Sequence, residues 1–156
     1  MSIQTSAVPD ALDQLLVILR TGIDPNTLAV FDGPTLNDTP DDCLFVGWQP
    51  SGEASVNIQQ DFAYAGARRR KEVFEVQGYI ETKSGDTDMQ ARRARAFEIL
   101  GLVATALRAT DAAPEAPTLN GTVLWAHLTA GDLLQEQNSN GATCGLAFSV
   151  TCQALI

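Results

Sequence analysis

The sequence predicts an α+β fold, in which a mostly antiparallel twisted sheet carries two helices on one face and an extended hairpin arm or loop. Two segments alternate apolar and polar residues, as half-buried strands do, and two others carry apolar residues at helical spacing. The predicted order is helix, two strands, arm, strand, helix and two strands, which lacks the regular strand-helix alternation of a parallel sheet. With 156 residues and 45% hydrophobic content, we expect residues 1–156 to form a single domain.

The first helix is predicted over residues 6–20. Ser6 is a candidate cap, Pro9 lies in the first turn, and Asp10 lies close to the positive end of the helix. Gly22 and Pro25 end it. The apolar residues of one face are Leu12, Leu15, Leu16 and Leu19.

Two short strands follow the helix. Residues 28–31 are apolar and stop at Asp32-Gly33-Pro34, a turn in which glycine permits a positive φ and proline cannot continue a strand ladder. Residues 36–42 contain three aspartates and are expected to be an exposed loop. Residues 43–48 are continuously apolar, which is typical of a central strand or of a strand used at an interface.

The pattern weakens over residues 49–66, which is either a mobile loop or a hairpin arm without its own core. Because residues 55–59 and 62–64 still alternate, we favour the arm and place it at about residues 49–70. Phe62 and Tyr64 lie where no local core can cover them. Exposed aromatic side chains on an arm favour anchoring on a neighbouring protein.

Residues 72–82 give the clearest internal strand, with Phe74, Val76 and Ile80 expected on its buried face. A helix is predicted over about residues 87–109, with Arg92, Arg95 and Glu98 expected in solvent. The predicted apolar stripe of this helix comprises Ala91, Ala94, Phe97, Leu100, Gly101, Ala104 and Leu107.

The remaining chain predicts more sheet. Residues 122–128 form a strand with Trp125 on the face opposite Leu124, whereas residues 131–137 are either strand or irregular loop. Asn140-Gly141 is a strong turn signal, since both residues accept positive φ. Residues 146–156 alternate cleanly and are predicted to be the last strand.

Charge is segregated along the chain. The net charge is −9, which argues against general nucleic-acid binding, yet seven of the ten basic residues lie in two clusters. The first 61 residues contain Arg20 as their only basic residue. The clusters are Arg68, Arg69, Arg70 and Lys71, and Arg92, Arg93 and Arg95.

Three interpretations of the first cluster stay open. It could be a solvated charge run, an electrostatic latch onto an acidic surface of a partner or of a second copy, or a phosphate contact. The acidic first third of the chain supplies a complementary surface for the latch. We therefore treat Phe62, Tyr64, Arg68, Arg69, Arg70, Lys71, Arg92 and Arg95 as candidate residues of a subunit or partner interface.

The cysteines and the histidine do not predict a metal site. Cys43, Cys144 and Cys152 form no CxxC motif, and His127 is the single histidine. The thiols are expected to be buried and reduced, as in the cytoplasm. No apolar run is long enough to span a bilayer, and the N-terminus does not look like a signal peptide.

No motif predicts catalysis or a cofactor. The sequence contains no GxSxG, HExxH, GxxxxGK[ST] or GxGxxG motif. We therefore expect the protein not to be an enzyme and to bind neither a cofactor nor a metal. The competing interpretation is a small cytoplasmic enzyme or ligand-binding domain that uses His127 with Asp132 or Glu136.

The chain resembles the tail terminator proteins of long-tailed bacteriophages, also called tail completion or minor tail proteins, and above all those of phages that infect actinobacteria. The resemblance runs through nearly the whole chain in the same order. The segments that carry it are 7–13, 30–34, 67–74 continuing into 84–88 and the arginine-rich helix, and 121–125 followed by 131–133 and 135–137.

This resemblance implies a structural virion protein that is assembled in the host cytoplasm and located at the neck-proximal end of the tail. Such proteins form a ring, here expected to be a hexamer, that caps the tail tube, stops its growth and joins the tail to the neck. The implied partners are other copies of the chain, the major tail tube protein and a neck or head-completion protein, and genomic DNA passes through the lumen without specific binding. The alternative is a head-closure or head-to-tail connector protein of the neck.

Overall fold

The computed structural model describes residues 4–36, 38–50, 52, 54–62 and 69–156. In chain order the elements are helix α1 (Val8–Gly22), strands β1 (Ala29–Asp32), β2 (Asp42–Val46), β3 (Val56–Phe62) and β4 (Arg70–Ser84), helix α2 (Met89–Ala106), a 3₁₀ turn (Ala116–Thr118), and strands β5 (Trp125–Asn138) and β6 (Gly141–Leu155). The α+β prediction is confirmed: six strands form one mostly antiparallel sheet that accompanies two helices.

Strand β4 organises the sheet. Its C-terminal half pairs with β2, its N-terminal half pairs with β3 on the same side, and β6 pairs with it along nearly its whole length on the other side. The strand order is β1-β2-β4-β6-β5, and all pairs are antiparallel except β1 with β2. Residues 131–137, for which the sequence left strand and loop open, belong to β5 after a bulge between Ala130 and Leu133.

The predicted arm is strand β3, which forms a hairpin with β4. Since β4 also pairs with β6 at this level, β3 is the edge of a continuous sheet. Tyr64 and Arg68 lie outside the described residues.

The main core lies between the helices and one face of the sheet. Strands β4 and β6 contribute alternate residues to it, as their patterns predict, and Leu15 and Leu19 of α1 and Ile99 and Val103 of α2 pack against them. At Gly78 the close packing requires glycine, because a Cβ there would come within 2.2 Å of the Phe148 ring.

The predicted apolar stripe of α2 is wrong in its phase. Ala94, Phe97 and Gly101 are exposed, and the buried residues are Ala96, Ile99 and Val103, together with the predicted Leu107. This helix is apolar on several sides, so the spacing of its residues does not specify one face. Its rotation follows from polar contacts of Arg92 and Arg95 with the sheet.

Candidate subunit interface

The cluster at the start of β4 presents a basic surface. Arg69 and Lys71 are exposed, whereas Arg70 is half-buried and donates a 3.3 Å hydrogen bond from Nη1 to Oε1 of Gln60 on β3. Alternation along β4 explains the difference, since Arg70 and Lys71 point to opposite faces of the sheet. Arg69 and Lys71 are therefore available to a partner.

Phe62 and Ile58 form an exposed apolar pair beside this basic surface. They lie four residues apart on β3 and on the same side of the sheet, where Phe62 is 71% and Ile58 is 52% exposed. Phe62 is paired with Arg70 across the hairpin. The prediction that Phe62 is uncovered is confirmed, and its role as an anchor stays a prediction.

A buried carboxylate holds this end of the sheet together. Glu72 is fully buried, and its side chain accepts hydrogen bonds from the Ala7 amide (2.7 Å) and the Ser6 hydroxyl (2.8 Å). Gln60 Nε2 also donates to Glu72 and makes a 2.9 Å bond to the carbonyl of Thr5. Glu72 therefore ties the start of α1 and strand β3 to β4, a role that the alternating pattern did not reveal.

Ser6 takes part in the helix start, although it is not the capping residue itself. Its hydroxyl accepts a 3.0 Å hydrogen bond from the Val8 amide, while Ala7 is the residue that precedes the helix. The carboxylate of Glu72 also lies at the positive end of the α1 dipole, which favours the negative charge. The predicted polar start of this helix is thus completed by a residue from the sheet.

The second basic cluster is engaged within the chain. Arg95 makes a 2.8 Å ion pair through Nε with Asp42 of β2, and Arg92 donates a 2.8 Å hydrogen bond to the hydroxyl of Thr82. Thr82 in turn donates a 2.6 Å bond to Asp42. The expectation that Arg92 and Arg95 are solvated is wrong, because their side chains are only 20% and 19% exposed.

Further contacts of Arg95 strengthen this arrangement. Its Nη1 lies 2.7 Å from Oε1 of Glu98, and its Nη2 donates a 3.2 Å bond to the carbonyl of Thr27. The guanidinium thus joins α2 to β2 and to the segment before β1. An interface role for Arg92 and Arg95 stays a prediction. Only the exposed fraction of each side chain, about one fifth, could contact a partner.

The two basic clusters lie far apart. Arg70 and Thr82 are twelve residues apart on one strand, so Arg92, which bonds Thr82, is about 40 Å from the start of β4. The clusters therefore do not form one basic surface. The first third of the chain exposes a set of acids: Asp10, Asp13, Asp24, Asp32, Asp38 and Asp41.

The sheet face opposite the main core carries a smaller aromatic cluster. Phe45 and Tyr79 are buried, and Phe31 and Trp48 pack against them with ring centroids 4.9 to 6.0 Å apart along the series. Burial, with help from the Glu81 carboxylate, raises the pKa of Tyr79 to about 12. A Cβ at residue 145 would lie 1.7 Å from the Tyr79 hydroxyl, so Gly145 makes room for this ring.

The thiols are buried, as predicted. Desolvation raises the pKa of both Cys43 and Cys152 to about 12, and it raises the pKa of Cys144 as well. A thiol in this state is a poor nucleophile at neutral pH, since the thiolate is the reactive form. The three cysteines therefore act as small apolar side chains in the structure.

His127 does not meet the carboxylates suggested by its sequence neighbourhood. Asp132 and Glu136 are five and nine residues further along β5, which corresponds to about 15 Å and about 30 Å. The ring of His127 instead packs on Trp125, with centroids 4.5 Å apart. Across the sheet His127 pairs with Thr151, which pairs with Glu75.

The described residues contain no group of three or more histidine, cysteine or acidic side chains that could hold a metal ion. No helix in the described part of the chain is long and apolar enough to cross a membrane. An apolar groove of about 470 Å³ lies near the C-terminal ends of α1 and α2, bordered by Val17, Gly22, Ala106 and Pro114.

Comparisons with known proteins do not identify a family for this chain. Neither the models of known protein families nor the curated proteins gave a match to the sequence.

Proposed function

We propose that this chain is a structural virion protein, the tail terminator of a long-tailed bacteriophage. Copies of it form a ring, a hexamer by the resemblance, on the head-proximal end of the tail tube. The ring stops growth of the tube and provides the surface to which the neck binds. The protein acts by assembly and not by catalysis.

The observation that carries the proposal is the segregation of unlike surfaces on one small domain. The hairpin of β3 and β4 combines an exposed aromatic ring, Phe62, with exposed Arg69 and Lys71, while the first third of the same chain exposes six aspartates. Unlike surfaces favour head-to-tail contacts, and such contacts generate a ring when the rotation between copies closes. Complementary charge would fix the orientation of the neighbours.

The acidic excess fits a channel for DNA. With a net charge of −9, a ring of these subunits can present carboxylates to the lumen, where like charge disfavours binding of the phosphate backbone. DNA then slides through without specific contacts. In this proposal the basic cluster at Arg69 to Lys71 faces a neighbouring copy and not the lumen.

Electron microscopy of negatively stained protein, alone and with the cognate tail-tube protein, tests the proposal. We expect rings of one size and tubes whose length stops increasing when the protein is present. A variant with Arg68, Arg69 and Arg70 changed to alanine should lose both properties at physiological salt. Its matched control replaces Arg20 and Arg108, two exposed cations outside the cluster, by alanine.

Other results of these experiments would favour a different function. A protein that leaves tube growth unchanged but binds a portal or head-completion protein would be a head-closure or connector protein of the neck. A persistent monomer that binds neither component would reject both structural roles. Capping that survives the triple alanine change would reject the latch while leaving the terminator function in place.

A further inference from the structure

Three strands of the sheet have free edges within the described part of the chain. There β1 pairs only with β2, β3 pairs only with β4, and β5 pairs only with β6. An unpaired edge presents a row of amide and carbonyl groups that can pair with another strand. Residues 133–138 of β5 lie beyond its bulge and contain no lysine, arginine or proline, residues that commonly block such pairing.

The free edges of β3 and β5 have compatible directions. Since successive pairs from β3 through β4 and β6 to β5 are antiparallel, β3 and β5 run in opposite directions. A second copy related by rotation would therefore bring its β3 beside β5 in an antiparallel arrangement. The same alternation would continue around a ring, with the helices of every copy on the same side of the sheet.

The second half of β5 is the part best suited to this pairing. Its first residues lie near the 3₁₀ turn, whereas residues 129–138 are all exposed. Leu133 pairs with Leu146 of β6, so it lies on the helix-bearing side, and it is 38% exposed. Ile58 and Phe62 of β3 lie on that same side of the sheet.

The charges of the two edges are complementary. Strand β5 carries Asp132 and Glu136 and no basic residue other than His127. The end of β3 lies beside Arg69, Arg70 and Lys71, with Asp61 as the one acid of β3. In an antiparallel pairing the Phe62 end of β3 lies beside the start of the 132–138 segment, so the basic cluster, one strand behind β3, lies at the same end of the contact as Asp132.

We propose that β3 of one copy pairs antiparallel with residues 132–138 of β5 in a second copy. Phe62 then packs beside Leu133 of the second copy, and the basic start of β4 faces Asp132. The inference rests on the proposed function, since it names the contact that closes the ring. Sheets that close need tilted and staggered strands, which allows β3 to meet the far half of β5.

Disulfide cross-linking tests the contact directly. A chain carrying both Phe62→Cys and Leu133→Cys should give, after oxidation, a ladder of covalent multimers that ends at the size of the ring. The control carries Phe62→Cys with Val17→Cys, because Val17 is a 51% exposed apolar residue on α1. Leu133→Cys alone should give no product, because the proposal places Leu133 beside Phe62 and not beside a second Leu133. A covalent dimer of this variant would indicate that β5 pairs with itself and would overturn the proposal.

Charge reversal provides the second test, with sedimentation velocity as the measurement. Asp132→Lys should raise the concentration needed for assembly at least about tenfold, and adding Lys71→Glu should recover most of that affinity. An unchanged circular dichroism spectrum would show that the variants fold. The edge contact would be overturned, and the proposed function preserved, if Asp132→Lys forms rings as well as the wild type and the double-cysteine chain gives no ladder. Failure of the wild-type protein to assemble or to cap tubes would overturn both.

Discussion

The side-chain carboxylate of Glu72 accepts a 2.7 Å hydrogen bond from the backbone amide of Ala7, 65 residues earlier in the chain. This contact explains why α1 begins where it does, and why a charged residue lies buried on the helix-facing side of β4. The same carboxylate accepts from Gln60, so it also positions β3, which carries Phe62. The geometry of the proposed interface therefore depends on a residue outside it.

Replacing Glu72 by glutamine should destabilise the protein. Glutamine has nearly the same size and shape as glutamate, so the change tests the charge and the hydrogen bonds of this side chain and not its packing. Glu72→Gln removes the charge that the helix end favours and places its amide donor against the N–H group of either Ala7 or Gln60, at a cost of about 1–3 kcal/mol. Urea unfolding followed by circular dichroism measures this change. Glu81→Gln on the same strand is the control, and an equal destabilisation there would show that Glu72 has no special role.

The contact between Asp42 and Arg95 predicts a second stability effect. Asp42→Asn should cost about 1–3 kcal/mol, because it leaves the largely buried guanidinium of Arg92 without its counter-charge and that of Arg95 with the exposed Glu98 alone. The adjacent Asp41→Asn is the matched control, since Asp41 is exposed and a surface change costs little. Thermal unfolding at low and high salt would distinguish them, and identical midpoints would contradict the prediction.

Gly78→Ala should be poorly tolerated for a steric reason. The added Cβ would meet three carbons of the Phe148 ring at 2.2 to 2.7 Å, which the core can accommodate only by moving that ring. Overpacking of this kind costs typically about 1–3 kcal/mol. Gly85→Ala, with open space around it, should be nearly neutral, and Phe148→Leu should restore part of the stability in a Gly78→Ala background.

The strands and the fold class could be predicted from the sequence because a half-buried strand shows its alternation locally. Glu72 to Val76 and Leu146 to Ala154 are examples, since their burial follows the period of two. The parallel pairing of β1 with β2 could not be predicted, because strand direction depends on a connection whose path has no local signal.

The candidate interface and its supporting residues show the same difference between local and long-range signals. Exposure of Phe62 could be predicted from the weak pattern around it, whereas the burial of Glu72 could not, since its partners Ser6 and Ala7 are distant in the sequence. The predicted face of α2 was wrong because helical spacing says nothing of Asp42, which draws Arg95 toward the sheet. Tertiary hydrogen bonds decided each case in which the local pattern was ambiguous.

The buried thiols predict how stability changes at alkaline pH. Burial raises the pKa of Cys43 and Cys152 from 9.0 to about 12, so the unfolded chain releases these protons at a lower pH than the folded protein does. Above about pH 9 the unfolded state therefore binds fewer protons, and the free energy of unfolding should fall as the pH rises toward 12. Each thiol contributes a slope of up to about 1.4 kcal/mol per pH unit.

Urea unfolding between about pH 8 and about pH 10.5 measures this slope. Cys152→Ala should reduce this slope, because the variant lacks one of the three buried thiols whose pKa is raised. Its stability at the lower pH will also decrease through the loss of buried volume. The comparison is thus between slopes and not between absolute values. A slope that is the same in the wild type and in Cys152→Ala would mean that this thiol titrates alike in the folded and unfolded states, contrary to its burial in the core.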